Sequence, residues 1–483
     1  MNSLYLTTAI PYVNAAPHLG HALELVQADV LARHARLRGR PVRFLTGTDD
    51  NALKNVTAAR AAGIAVRDFV AVNADRFAGL REPLGLSFDD FIRTSADRRH
   101  RPGVERLWRE CAAAGDFYRR GYEGLYCTGC EQFYAPAELV DGRCPEHGVA
   151  PETVAEQNWF FRLSRYAGTL LDILESGRVR IEPAARRNEV LAFVRGGLAD
   201  FSVSRPAARA GGWGIPVPGD AGQVVYVWWD ALTNYVTALG YGTGDDAYRR
   251  WWVDSTDRVH VIGKGIVRFH AVYWLALLLS AGLPLPTAVF VHDYLTVDGA
   301  KLSKSTGNAV DPVDLSVRFG PDALRWWLLR EVATVGDTDF TVERLIRCAD
   351  QDLANGLGNL VNRTLTLLHK HRAGQVTGTP QPGPLLAAAT DLPTRIDRAL
   401  AAFDFRSATG ALRDLSNEAN RYIEANRPWQ LTSDFDNTLA TLVHACRAAA
   451  AEIAPFLPAA STRLQAQLGQ AAPPHPVFRR LSQ

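Results

Sequence analysis

The sequence carries almost no net charge: 53 Lys and Arg stand against 51 Asp and Glu, a formal balance of +2 over 483 residues. A basic protein that wraps nucleic acid is thereby excluded, and any RNA binding has to rely on local patches and stacking. Cysteine is scarce as well. Six cysteines in a chain this long, three of them in one small cluster, argue against a disulfide scaffold. Long apolar runs are missing too. The most apolar helical stretch, residues 271–281, includes Tyr273, Trp274 and Ser280 and stops at Gly282. It falls short of the ~20 residues that span a bilayer. No basic-then-apolar leader precedes the first strand, and there is neither an internal repeat nor a low-complexity segment. These absences lead us to expect a cytoplasmic protein with no membrane attachment. The length leaves room for about two to four domains with well-buried cores.

What is present begins at Ile10-Pro11-Tyr12-Val13-Asn14-Ala15-Ala16-Pro17-His18-Leu19-Gly20-His21. The preceding run, Leu4-Tyr5-Leu6-Thr7-Thr8-Ala9-Ile10, reads as a short buried strand. Leu23, Val26, Val30 and Leu37 then recur at helical spacing up to Gly39, a C-terminal stop. Pro17 suits a first helical turn, where its missing N–H is no loss. The segment is therefore strand, turn and helix, with His18 and His21 at the helix start. Free amides and the positive dipole end make that position an anion site. The two imidazoles would add donors for phosphate oxygens, and Gly20 leaves room for a flat ring to approach. A capping or core pair of histidines explains the same residues when they are taken alone. Far downstream, Lys301-Leu302-Ser303-Lys304-Ser305 lies between Gly299 and Gly307. It suits a mobile polyphosphate clamp, although a solvated basic turn has the same composition. In this order the two motifs resemble the HIGH and KMSKS signatures of class I aminoacyl-tRNA synthetases.

Pro41-Val42-Arg43-Phe44-Leu45-Thr46-Gly47 reads as a second strand with Asp49-Asp50 at its C-terminal end. Open parallel sheets bind ligands at such ends; an N-cap for a helix beginning near Ala52 is the other role open to this pair. Cys127-Thr128-Gly129-Cys130 and, thirteen residues later, Cys144-Pro145-Glu146-His147 have the spacing of a tetrahedral zinc site. Buried free thiols are the alternative. With all four positions committed, and a small hairpin over 133–143 between the pairs, such a metal is structural. Cys111, Cys348 and Cys446 read as core residues. Residues 205–220 look like an irregular return to the main sheet. Val224-Val225-Tyr226-Val227-Trp228 reads as a strand, with a helix starting at Trp229. Val259-His260-Val261-Ile262-Gly263-Lys264-Gly265 is a third strand, and 287–291 a further one. Between them Ile266, His270 and Trp274 fall at four-residue steps on one helix face. Aromatic stripes are usually core, but this one begins where a doubly wound sheet holds its ligand. From about 347 the pattern is all-helical, over 352–371, 391–403, 407–426 and 438–453, with a Gly/Pro/Thr-rich loop at 374–384. The tail from Ala471, with three prolines, is expected to lie against the surface.

Further phrases resemble the methionyl-tRNA synthetases nearly from end to end. They are Ala9-Ile10-Pro11-Tyr12-Val13-Asn14, Leu45-Thr46-Gly47-Thr48-Asp49, the segment from Gly212-Trp213-Gly214 to Pro218-Gly219-Asp220, Tyr226-Val227-Trp228, and Leu357-Gly358-Asn359-Leu360-Val361-Asn362-Arg363. The resemblance implies an α/β fold: a Rossmann-type doubly wound parallel sheet split by a zinc-containing connective insertion, then an all-α anticodon-binding helix bundle. The expected division is 1–115 and 206–290 for the catalytic domain, and 116–205 for the insertion with its knuckle at about 122–150. A loop and stem-contact region follows at 291–346, the helical domain at 347–470 and the tail at 471–483. The implied reaction joins methionine to tRNA(Met), initiator and elongator, through an adenylate, using ATP with Mg²⁺.

By the same resemblance His18, Gly20, His21, Lys301, Ser303 and Lys304 serve ATP, and Asp49 pairs with the substrate ammonium. Ile10, Tyr12, Trp228, Ala231, Tyr235, Ile266, His270 and Trp274 form the methionine pocket. Asn359, Arg363 and Trp429 read the anticodon, although taken alone they also fit an ordinary exposed surface. Cys127, Cys130, Cys144 and His147 hold Zn²⁺. The chain departs from the family pattern in three places: Asp50-Asn51-Ala52 where Glu-His-Gly is frequent, Gly265 where Asp is frequent, and Leu302 where Met is. With no appended oligonucleotide-binding dimerisation domain after the bundle, a monomer is expected. The alternatives are a specialised or antibiotic-tolerant paralogue that activates methionine or an analogue, a HIGH-type nucleotidyltransferase that does not act on tRNA, and an inert tRNA-binding protein.

Overall fold

Leu4–Thr8, buried at every position, is an inner strand of a six-stranded, wholly parallel sheet. Across that sheet the order is Asp90–Arg93, Val42–Thr48, Leu4–Thr8, Asp257–Gly263, Ala288–His292 and Arg180–Glu182. The chain builds outward from the first strand on one side, crosses to the far edge of the other side with Arg180–Glu182, and fills the place beside the first strand only with Asp257–Gly263. The switch point, where such sheets open a crevice, therefore lies beyond the ends of those two neighbours. The structure is a computed structural model and describes residues 3–130, 132–146, 148–301, 310–431, 433–470 and 474–481; of Tyr122, Gln132, Lys301 and Gln470 only the backbone is described. Two compact units divide it.

The first unit comprises Met1–Pro17, Gly39–Leu80 and Phe88–His292. Besides the parallel sheet it holds an antiparallel insertion in which Phe117–Cys127 pairs along Glu152–Phe161, flanked by Gln132–Tyr134 and Phe201–Ser202. A three-stranded ribbon, Ser204–Pro206, Pro216–Val217 and Asp220–Val225, leads back toward the sheet. This is the doubly wound sheet with its insertion that the sequence leads one to expect, with two local differences. The strand expected over 224–228 ends at Val225, and the helix runs Val227–Thr237 with every residue but Trp228 buried. An apolar run buried all round carries no period, so strand and helix are indistinguishable in it. Likewise 264–280 is not one regular helix. It is a 3₁₀ turn Lys264–Ile266, a π-helical turn Phe269–Tyr273 and an α-helix Trp274–Ser280.

The second unit comprises His18–Arg38, Arg81–Ser87 and Asp293–Gln483. Its first helix, Leu19–Leu37, is anchored by charge at buried positions. Asp29, fully buried, lies 2.8 Å from the guanidinium of Arg325, 1% exposed, and 2.7 Å from Arg33. Arg325 also donates to the carbonyls of Leu84, Pro455 and Phe456. Burial opposes ionisation of Asp29, but Arg325, Arg33 and Ser87 outweigh it and hold the carboxyl below its usual range. At the same helix's end Arg38 bonds Glu452 and Asp397, and His34 bonds Asp397. A small sheet of Leu295–Val297, Ala300–Lys301 and Thr338–Asp339 precedes the helical region. Among the described residues every regular element from Val342 onward is helical. Three helices start earlier than their periodicity suggests, at Pro384, Phe405 and Phe435; Pro384 opens Pro384–Ala401 at its first turn, and Pro393 is carried inside it. The tail packs down, with Phe478 buried and the Leu481 amide donating to Asp350 Oδ1 at 2.7 Å. No helix among the described residues is long and apolar enough to cross a membrane.

Candidate active site and metal centre

His18 is the extended N-cap of Leu19–Leu37, and its Nδ1 accepts the Gly20 amide at 3.1 Å. In return the His18 amide donates to His21 Nδ1 at 3.1 Å, and the rings stack with centroids 3.9 Å apart. Capping and ligand roles are thus compatible. Each Nδ1 is an acceptor, which places the proton of the neutral ring on Nε2, at the positive end of the helix. Gly20 has a further reason to be glycine, since a Cβ there would sit 3.0 Å from the His18 ring. Ser303, Lys304 and the side chain of Lys301 lie outside the described residues.

In the first unit Asp49, 1% exposed, follows directly on Val42–Thr48. Its amide donates to Pro11 O at 2.9 Å, Tyr12 bridges to it, and its Oδ1 accepts the Asn51 amide at 3.2 Å. Asp50 does not cap the next helix, whose N-cap, Ala52, makes no side-chain bond. Instead Asp50 is buried and accepts from the hydroxyls of Thr48 and Ser95, and burial still pushes its carboxyl up.

The helix Val227–Thr237 contributes Trp228, Ala231 and Tyr235, and the irregular turns after Asp257–Gly263 contribute Ile266, His270 and Trp274. Trp228 stacks on Phe269 at 3.8 Å and meets Tyr12 edge-on at 6.2 Å. Tyr235 lies within 6 Å of both His270 and Trp274. Ile10, Trp228 and Ile266 pack on the same apolar core. Hydrogen bonds fix the tautomers here. His270 Nδ1 lies 3.0 Å from the Ile266 carbonyl and so carries the proton, leaving Nε2 to accept from the Tyr235 hydroxyl at 2.7 Å. His260 Nε2 accepts Trp274 Nε1–H at 3.2 Å, so its Nδ1–H faces Thr7 Oγ1 at 2.7 Å. Burial holds both rings neutral, bringing His270 down to about 4 and His260 well below its ordinary value. The cluster is aromatic and uncharged.

Sequence reasoning passed over what lies behind it. Asp230, on the same helix, bonds His100 Nε2 through Oδ1 and accepts from Asn51 Nδ2 at 2.7 Å through Oδ2. His100 Nδ1 is 2.7 Å from Thr237 Oγ1. The available signal was a carboxylate placed in a predominantly apolar helix that is buried at every position but Trp228, where it needs partners.

The Sγ atoms of Cys127, Cys130 and Cys144 lie within 4.8 Å of one another, with Cys130 and Cys144 3.4 Å apart. Thiolates 2.3 Å from a tetrahedral zinc stand ~3.8 Å apart, so the donor set fits such an ion. Burial raises the thiols of Cys127 and Cys130, which would therefore ionise only against a cation. The Tyr134 hydroxyl sits 3.0 Å from Cys130 Sγ and 3.6 Å from Cys144 Sγ. His147 lies outside the described residues. The knuckle touches the aromatic cluster through Trp228 Nε1, which donates to Cys130 O at 3.4 Å. Cys111, Cys348 and Cys446 are buried.

In the helical region Asn359 opens Asn359–Arg372 and is exposed, while Arg363 pairs with Glu424 at 3.0 Å. Trp429, 47% exposed, stands on the 3₁₀ turn Pro428–Gln430. Arg427 and Leu431 on either side of it have φ of 41° and 51°, a strained setting for side chains of that size.

The family model described as tRNA synthetases class I (M) matches residues 4–153 and 136–365. The chain is 42% identical to the "Methionine--tRNA ligase" of Brucella suis, covering 95% of this chain and 90% of that protein. It is also 42% identical to that of Mycobacterium tuberculosis, covering 98% and 93%. The solved structure of the M. tuberculosis methionyl-tRNA synthetase in complex with methionyl-adenylate superposes with a TM-score of 0.92 at 40% identity, over 99% of this chain and all of that one. The apo form of the same enzyme gives 0.85 at 38% identity, over 99% and 98%. The chain belongs to the methionyl-tRNA synthetases, within the class I tRNA synthetases.

Proposed function

We propose that the protein ligates methionine to tRNA(Met), initiator and elongator, in two steps. A methionine carboxylate oxygen attacks the α-phosphate of Mg²⁺-bound ATP, forming methionyl-adenylate and releasing pyrophosphate. The 2′-OH of the tRNA terminal adenosine then attacks the activated carbonyl, and AMP leaves. No side chain has to become a covalent nucleophile, because positioning and charge neutralisation carry such reactions. The Nε2–H groups of His18 and His21 donate to ATP phosphate oxygens, and Lys301, Ser303 and Lys304 close on the pyrophosphate. Asp49 pairs with the substrate ammonium. Tyr12, Trp228, Tyr235, His270 and Trp274, with Ile10, Ala231 and Ile266, receive the thioether, which favours aromatic and uncharged surroundings.

Catalysis is assigned to 1–115 and 206–290, the connective role to 116–205, stem contact to 291–346 and anticodon reading by Asn359, Arg363 and Trp429 to 347–470, in a cytoplasmic monomer. Cys127, Cys130 and Cys144 with His147 would hold a zinc ion that closes the knuckle and takes no part in the chemistry. The observation that carries this reading is the uncharged aromatic cluster at the sheet's switch point, with the backbone of Asp49 bridged to its Tyr12. The test is ATP–pyrophosphate exchange with each of the twenty amino acids, followed by charging of both methionine tRNAs. Exchange with methionine alone, together with charging of both, is the expected result. Exchange without charging would instead identify a paralogue outside translation, and no exchange would refute the reading.

A further inference from the structure

Asp230 and His100 are 1% and 0% exposed in side chain, bond each other directly, and have no part in the two-step reaction above. Burying such a pair seldom adds stability over an apolar pair of equal volume, so its presence calls for another reason, such as fixing one arrangement among several. Here the second oxygen of Asp230 supplies that reason. It reaches out of its helix to the Asn51 side chain at 2.7 Å, and the Asn51 amide in turn bonds Asp49 Oδ1 at 3.2 Å. The turn is held from its other side by Asn55 Nδ2, 2.9 Å from Asp49 O and 3.0 Å from Asp50 O. Asp230 lies one residue from Ala231 and two from Trp228, on the helix that presents the aromatic cluster. One hydrogen bond therefore couples the element bearing Asp49 to the element bearing Trp228, Ala231 and Tyr235. His100, held by Thr237 at 2.7 Å, fixes the rotation of the Asp230 carboxylate.

We propose that Asn51 and Asp230, backed by His100, form a clasp that sets the position of the Asp49 carboxylate against the aromatic cluster. They are positioning residues for binding of the amino acid. The inference rests on the reading of Asp49 as the partner of the methionine ammonium. It assigns a use to Asn51, at a position where a related chain more often carries histidine. Imidazole can also donate one N–H to Asp230, so the clasp is compatible with either residue.

The test measures exchange against methionine and ATP separately, with direct methionine titration by tryptophan fluorescence and thermal unfolding of each variant. Asn51→Ala is expected to raise the methionine KM and Kd about tenfold or more, leaving the ATP KM within about twofold. Asn51→His is expected to restore most of the loss, and Asn51→Leu, which keeps the volume but cannot donate, to reproduce it with a midpoint of unfolding near that of the parent. Methionine KM unchanged in Asn51→Ala, or methionine and ATP KM rising together, would overturn the clasp. Asp49→Asn is the control for the underlying reading: if it leaves methionine binding intact, the ammonium role fails and the proposal with it. If it abolishes binding while Asn51→Ala has no effect, only the clasp fails.

Discussion

His21 uses Nδ1 for the backbone, and the proposed phosphate contact uses Nε2, so the two roles are separable by substitution. Asparagine places an amide oxygen near Nδ1, so His21→Asn keeps an acceptor for the His18 amide and loses the Nε2–H donor. We expect its exchange rate to fall at least about a hundredfold, with the unfolding midpoint little changed. His21→Ala should lose the same rate and about 1 kcal/mol of stability besides, because the cap goes with the ring. Near-normal exchange in either variant would remove His21 from the phosphate site. At this scale the sequence is informative about short-range pairs and silent on long-range ones. His18 and His21 are three residues apart, and their shared helix start is visible in the string of letters. Asp230 and His100 are 130 residues apart and meet only through the fold. The tautomer of His260 is likewise set by Trp274, a partner that no local pattern names, whereas that of His270 is set by the Ile266 carbonyl four residues back.

Among the elements, the cysteine knuckle is the one whose stability we expect to depend on a bound metal. Its core consists of Cys127, Tyr134 and Cys144, with Cys130 and Leu139 partly buried against them, too little to hold a hairpin in water. Chelation should therefore raise amide exchange around Cys127 and Cys144 while leaving Leu4–Thr8 protected, as mass-resolved hydrogen exchange would show. Folded protein with no bound metal and three freely titrating thiols would refute the metal site. Tyr134→Phe removes the hydroxyl near two sulfurs and should weaken metal retention about tenfold or more in a chelator competition. Undiminished retention would reduce Tyr134 to packing. The paired cysteine spacing made this element readable in advance. The boundary at Val225 and Val227, and the π-helical turn Phe269–Tyr273, were not readable. In both, burial of nearly every residue erased the periodicity that distinguishes one secondary structure from another.

For the molecule as a whole, buried neutral histidines set the response to acid. In the folded chain His270 titrates at about 4, below its ordinary 6.5, so between those values the unfolded chain binds a proton that the folded chain refuses. Stability present above pH 6.5 is therefore lost progressively toward pH 4, by about 3 kcal/mol from this ring, and His260 acts in the same direction. Urea unfolding at the two ends of that range should show a smaller drop for His270→Gln than for the parent; equal drops would exclude the ring as the linked group. The architecture at this scale was largely legible, because strand–helix alternation followed by a helical run is a long-range pattern that survives local misreadings. The pairing inside the second unit was not. Its first helix, Leu19–Leu37, is anchored to Arg325, Asp397 and Glu452, and 414 residues separate Arg38 from Glu452. At ~5–20 residues per second, a ribosome needs roughly 20–80 s to deliver that last partner. Throughout that interval Arg38 at the end of the nascent helix lacks Glu452, and for the earlier part of it Asp29 lacks Arg325.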